Sequence, residues 1–160
     1  MTTAHSMSDK PLKHEIDTGS VILQEKETIH ADDTAGSLYE RLMYKGAKLV
    51  LKTVQQIQAG NLSSVPQAES ATPRHAPKIF KETCMIRWDQ PATHIVNFVR
   101  GLSPYPGAWT TIEGRTFKIL TGQKIDKQPG GDPGAISTDN KTFLHVQSAD
   151  GWVSIEELQP

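Results

Sequence analysis

One carboxylate in this 160-residue chain is placed for chemistry by its neighbours alone. Asp17 stands at the tip of a tight Thr18-Gly19 turn that runs straight into the apolar Val21-Ile22-Leu23. Such a turn fixes an anion at a strand edge, held by backbone and close to whatever approaches it. The other reactive side chains form no comparable arrangement. Cys84 is the single cysteine, has no paired base in the sequence, and reads as a small buried hydrophobe. His5 and His14 read as solvated surface residues. His30, His75, His94 and His145 show no ligand spacing, so no metal site is expected.

The elements that must position these groups follow from periodicity. Residues 1–13 are polar and patternless and read as a disordered or loosely attached leader. Residues 21–29 alternate imperfectly and predict a short strand. Asp32, Asp33 and Thr34 offer N-cap oxygens for a helix over 35–59. Leu38, Leu42, Leu49, Val50, Val54 and Ile57 form its apolar stripe, and Gly60 is a C-cap. Gly46, in mid-helix, suggests close packing against a neighbour. Residues 61–75, rich in Ser, Pro, Gln and Ala, read as a linker and the domain boundary.

Beyond the linker, Pro91 opens a second helix running to about residue 101, with Ile95, Val96, Phe98, Val99 and Leu102 apolar. Ser103-Pro104-Tyr105-Pro106-Gly107 forces a rigid, turned segment. Short strands then follow at 108–113, 115–122, 134–137, 143–147 and 152–158, with Glu113-Gly114 as a hairpin turn. The fold class expected is α+β: a strand–helix piece of an α/β domain (14–60), then a small, partly open barrel of the oligonucleotide-binding type (76–160).

Composition removes several classes of function. Seventeen basic residues against 18 acidic ones exclude a globally basic nucleic-acid binder, though not a local basic face. One cysteine excludes a disulfide framework and fits a reducing compartment. No apolar run approaches the roughly 18 residues needed to span a bilayer, and the N-terminus lacks a signal peptide's apolar core. A cytoplasmic protein with no membrane partner is the expectation. With 36% apolar residues, 12 glycines and 10 prolines, loops and turns should be plentiful.

Three stretches, in this order and spacing, carry a family resemblance. The first is Ile16-Asp17-Thr18-Gly19 with Ala31-Asp32-Asp33-Thr34-Ala35-Gly36-Ser37-Leu38-Tyr39. The second is Ala76-Pro77-Lys78-Ile79 with Ile86-Arg87-Trp88. The third is Arg100-Gly101-Leu102-Ser103-Pro104-Tyr105-Pro106-Gly107-Ala108-Trp109. Together they resemble the methionyl-tRNA formyltransferase family, from the end of its catalytic domain through most of its C-terminal domain.

The resemblance implies transfer of a formyl group from 10-formyltetrahydrofolate to the methionine amine of initiator Met-tRNA. It implies an Asn, a His and an Asp for that chemistry, with Asp17 as the Asp that orients the His and helps move the proton. The Asn and His belong to an Asn-x-His segment that does not occur among these 160 residues. The chain also ends soon after Ile155-Glu156-Glu157-Leu158, where the family's closing basic segment is expected. A truncated member, not active alone, is therefore the expectation. With no sheet leading into the Asp17 turn, the 35–59 helix should be left uncovered. The segment would be unstable alone, or would bury that face against another copy, another chain or the C-terminal module.

In the family the C-terminal module helps hold the tRNA through a basic face. Lys78, Lys81, Arg87, Arg100, Arg115 and Lys118 are the candidates here, because phosphate contacts need Lys or Arg at intervals along a surface. The plain reading of each is an ordinary solvated charge. Trp88, Tyr105 and Trp109 read as barrel and interdomain core before base-stacking platforms. Two alternatives remain: a stand-alone RNA-binding module, or another folate-dependent formyltransferase, acting on a nucleotide sugar or hydrolysing the folate. The 76–88 stretch favours the tRNA enzyme.

Overall fold

A helix laid against a curled antiparallel sheet forms the C-terminal part of the chain in the computed structural model, which describes residues 2–5 (backbone only), 19–61, 63–67 and 76–160. Asp17, His14 and His75 lie outside the described residues. Two compact units are present. One comprises Met1–Ala31 and Leu38–Ala76; the other comprises Asp32–Ser37 and Pro77–Pro160.

In the first unit, β1 (Thr2–His5) pairs antiparallel with β2 (Val21–Glu25), Thr2 opposite Glu25 and His5 opposite Val21. The reading of the leader as unstructured is corrected for these four residues. Thr2 and Thr3 are β-branched, and an edge of β2 needs a partner for its backbone groups. Val21 of β2 also meets Val65, within the expected linker, through two backbone hydrogen bonds of 2.8 and 2.9 Å. Gln67 adds a third tie, donating to the Gly19 carbonyl at 2.8 Å.

Strand β2 stops at Glu25, short of the expected 29, because Glu27 is drawn to a helix. Its carboxylate meets Arg41 Nε at 3.0 Å and Lys45 Nζ at 2.6 Å. These cations, Lys45 first, hold the Glu27 carboxyl below its ordinary range. The helix is α1, Ala35–Gln58. It starts with a reciprocal cap, the Ser37 N–H donating to Thr34 Oγ1 and the Thr34 N–H to Ser37 Oγ, both at 3.1 Å. It ends at Gly60, φ +68°, where the Asn61 N–H reaches back to the Gln56 carbonyl. Leu49 and Thr53 are buried, yet Val50, Val54 and Ile57 stay 56, 44 and 43% exposed. The C-terminal half of the apolar stripe is thus largely uncovered, while Leu38 and Leu42 are half-buried.

The second unit is built on α2, Ala92–Leu102, whose Ala92, Ile95, Val99 and Leu102 recur at helical spacing and are all buried. They pack with Ala108, Ile119, Val146, Val153 and Ile155 from the sheet. Cys84 and Ile86, in and after a short 3-10 turn (Glu82–Cys84), complete this core. The buried Cys84 thiol donates to the Phe80 carbonyl at 3.3 Å, as a small hydrophobe with a weak donor would.

The sheet contains β3 (Ala108–Ile112), β4 (Arg115–Ile125), β5 (Ile136–Thr138), β6 (Leu144–Gln147) and β7 (Trp152–Gln159). Their order is β3-β4-β7-β6-β5, all antiparallel. Glu113 and Gly114, φ 48° and 77°, close the β3–β4 hairpin with the left-handed backbone that a two-residue turn requires. The register of β4 on β7 shifts between Ile119 and Gly122, which bends the long strand. Only glycine fits there: a Cβ on Gly122 would lie 2.9 Å from the Ser154 carbonyl oxygen. Asp139 organises the β5–β6 turn, accepting from the Thr142 hydroxyl and the Lys141, Thr142 and Phe143 N–H groups. The Thr142 bonds lead in holding its carboxyl well below the usual carboxylate range.

The β6–β7 turn is fastened to α2 by Asp150, which accepts from the Ala92 N–H at 2.7 Å and from the Ser148 hydroxyl at 3.2 Å. The Ala92 bond is the main reason its carboxyl titrates below the ordinary value. A depressed carboxylate stabilises the fold above its unfolded pKa, near 4, and loses that contribution as pH falls through the folded one. Asp150→Ala should therefore lower the thermal midpoint at pH 7, and Asp150→Asn should keep most of it, because Asn also caps. The deficit of the alanine variant should shrink on acidification; a deficit constant down to pH 2 would contradict the capping role.

Candidate nucleic-acid interface

Three of the six candidate cations are tied by the fold to specific neighbours on the lead-in segment and the first hairpin. Trp109 and Lys118 are strand partners in the β3–β4 pair and so share one face of the sheet. The Trp109 indole N–H donates to the Lys81 carbonyl at 2.7 Å, which brings the backbone of Lys81 to the same indole. The chain continues along β3, with the Ile86 N–H donating to the Trp109 carbonyl at 2.8 Å. The backbone of Lys81 and the strand partner Lys118 thus both adjoin Trp109. Lys78 is held nearby in sequence, its ammonium 5.4 Å from the centre of the exposed Phe80 ring.

The remaining three are placed differently. Arg87 is exposed but meets Asp89 with two nitrogens, Nη2–Oδ2 at 2.8 Å and Nε–Oδ1 at 3.3 Å. The pair raises the pKa of the guanidinium and lowers that of the carboxyl, through that shared hydrogen bonding first. A cation already neutralised offers little to a phosphate. Arg100, in the last turn of α2, donates to Asn97 Oδ1 at 2.9 Å and to the Asp33 carbonyl at 3.4 Å, a bracing role within this unit. Arg115 opens β4 three positions before Lys118, and alternation therefore turns it to the opposite face.

The aromatic residues separate in the same way. Trp88 is half-buried and donates to Thr110 Oγ1 at 2.9 Å. Trp109 is half-buried as described, so both satisfy their indole N–H and fit the core reading. Tyr105 does not: the expectation that it is core is corrected, since 83% of it is exposed. Its flanking prolines and the buried Ser103 decide this, because the turned segment carries the ring outward.

Sequence reasoning did not single out Lys127, whose ammonium lies 4.3 Å over the Trp152 ring and 3.3 Å from Ser137 Oγ. Nothing in spacing pairs it with a residue so far along the chain. Beside it, His145 stacks on Phe143 with ring centroids 4.5 Å apart, and its Nδ1 is buried without a partner. Burial, then the Lys127 charge, pushes its pKa down and keeps the ring neutral. A cavity of about 320 Å³ lies between α2 and the lead-in, lined chiefly by Met85, Ile86, Arg87, His94 and Phe98. Among the described residues, no three His, Cys, Asp or Glu side chains gather as a metal site would need. No helix among them is long and apolar enough to cross a membrane.

The helix-on-sheet unit coincides with a family match, residues 78–160 matching the formyl transferase C-terminal domain. The chain belongs to that family. Its similarity extends over 92% of the chain to proteins named methionyl-tRNA formyltransferase. Those include the Bacteroides fragilis protein at 45% identity and the Chlorobium limicola protein at 40%. The chain spans about half the length of these curated relatives, 48% of each.

Solved structures with the same fold include HypX from Aquifex aeolicus in complex with tetrahydrofolic acid, at 21% identity and a TM-score of 0.66. That match covers 91% of this chain and 25% of HypX. The N-formyltransferase of Helicobacter canadensis, in complex with folinic acid and dTDP-3-aminofucose, matches with a TM-score of 0.66 at 20% identity. It covers 92% of this chain and 53% of that one.

Proposed function

We propose that this chain serves the formylation of methionyl-tRNA, with its C-terminal unit holding initiator Met-tRNA. A formyl group then passes from 10-formyltetrahydrofolate to the methionine amine. The observation that carries the reading is the 40–45% identity to methionyl-tRNA formyltransferases over 92% of the chain. The break between the two units after residue 76 and the family match over 78–160 support a tRNA-holding domain from about 76 onward, with the preceding residues as the catalytic-domain portion and its connection. Five short antiparallel strands and the bend in β4 support a partly open barrel of the oligonucleotide-binding type. Such work belongs in the cytoplasm, where translation starts.

The amine nitrogen attacks the formyl carbon, the carbonyl oxygen becomes an oxyanion, a proton leaves the amine, and the bond to the folate nitrogen breaks as that nitrogen gains a proton. In this reading Asp17 orients a histidine that takes the proton. The Asn-x-His segment that supplies its two partners is not among these 160 residues. What they do contain is the surface for the tRNA, with Lys81 and Lys118 on phosphates and Lys78 beside them. Arg87, Arg100 and Arg115 contribute less, given the neighbours described above.

The test combines the purified 160-residue chain, initiator Met-tRNA and 10-formyltetrahydrofolate. No formyl-methionyl-tRNA should form with the chain alone. Added in excess to an intact methionyl-tRNA formyltransferase, the chain should slow the reaction by sequestering tRNA, and more tRNA should relieve it. Robust turnover by the chain alone would refute the incomplete catalytic set; absence of inhibition would refute the tRNA-holding role.

A further inference from the structure

Tyr105 is an aromatic ring left outside the core by a segment too rigid to tuck it in. Pro104 and Pro106 fix φ on both sides of it. Ser103 is buried, and the Gly107 N–H closes the turn on the Leu102 carbonyl at 2.9 Å. Pro104 itself is seated on Gly36, where any Cβ would come within 2.5 Å of its ring, and the Gly36 N–H donates to the Ser103 carbonyl at 2.9 Å. The backbone that carries the ring is therefore held in place, while the residue is 83% exposed. A pre-positioned aromatic of this kind loses little conformational entropy when something stacks on it.

The same turn is tied to a cation. At Gly107, φ +86°, a Cβ would lie 3.1 Å from Cδ of Lys118, so the lysine's aliphatic stem packs directly on the turn. Its partner across the hairpin is Trp109, whose indole N–H meets the Lys81 carbonyl. An exposed aromatic beside spaced cations is the combination that binds unpaired nucleotides, the ring meeting a base and the ammonium its phosphate. We propose that Tyr105 is a stacking platform for an unpaired base of the bound RNA, with Lys118 on the adjoining phosphate. This rests on the RNA-holding reading above and adds to it a preference for single-stranded nucleotides.

The test measures binding of the 160-residue chain to an oligoribonucleotide of about twelve nucleotides, single-stranded or annealed to its complement. Tyr105→Ala should weaken single-strand binding about tenfold, without changing its salt slope, and leave duplex binding unaltered. Tyr105→Phe, which keeps the ring, should bind as the unsubstituted chain does. Single-strand affinity unchanged in Tyr105→Ala overturns the stacking role alone, as does an equal loss in Tyr105→Phe, which would place the effect in the hydroxyl. Failure of the unsubstituted chain to bind either RNA overturns the stacking role and the RNA-holding reading together. An unaltered unfolding midpoint in Tyr105→Ala is the expected sign that no folding defect is being read.

Discussion

Replacing Ile119 with alanine should destabilise the sheet-bearing unit by about 3 kcal/mol, and Ile119→Val by about 1 kcal/mol. Ile119 is fully buried in the middle of β4, opposite Ala108 on β3 and Leu158 on β7, in the cluster that also holds Ile95, Val99 and Val153. Truncating it removes apolar burial and leaves a void that strand pairing on both sides prevents from collapsing. The measurement is equilibrium urea unfolding followed by tryptophan fluorescence. All three tryptophans, Trp88, Trp109 and Trp152, belong to this unit, so the signal reports it alone. A loss below about 0.5 kcal/mol for the alanine variant would mean that the core is not centred where the structure places it.

The second large effect concerns binding. Lys81→Ala combined with Lys118→Met should weaken affinity for initiator Met-tRNA about tenfold at moderate salt, and should flatten the salt dependence by roughly two phosphate contacts. Methionine is chosen at Lys118 because it keeps the stem that packs on Gly107. Arg87→Ala is the contrasting variant. Its guanidinium is paired in the free protein with Asp89, so its loss should change affinity and slope far less. An Arg87 effect as large as the double lysine effect would show that the ion pair opens to bind RNA and that the assignment of the patch is wrong.

Much of this was legible in the residues, and the failures have physical causes. The helix over 35–59, the α2 helix after Pro91 and the Glu113-Gly114 hairpin follow from periodicity, capping and turn chemistry, which act locally. Strand β1 carries no signal of its own, because Thr2-Thr3-Ala4-His5 has no apolar alternation and only pairing with β2 gives it a structure. Val65 reads as linker for the same reason. The apolar stripe of α1 announces a core, but whether Val50, Val54 and Ile57 find cover depends on what surrounds the helix, which periodicity does not encode. Among the site candidates, sequence named six cations as equals. Only the fold separates Arg87, neutralised by Asp89, from Lys81 and Lys118, brought together by one indole. Asp17 is identified by its turn and lies outside the described residues.

The central claim is that the chain holds initiator tRNA, and its salt-dependent affinity tests that claim most directly. Binding of the unsubstituted 160-residue chain to initiator Met-tRNA should be measured from about 50 to about 200 mM salt. The logarithm of the association constant should fall linearly with the logarithm of salt concentration, with a slope of several units set by the number of phosphates engaged. No binding at the lowest salt, or an affinity that does not change with salt, would contradict the account.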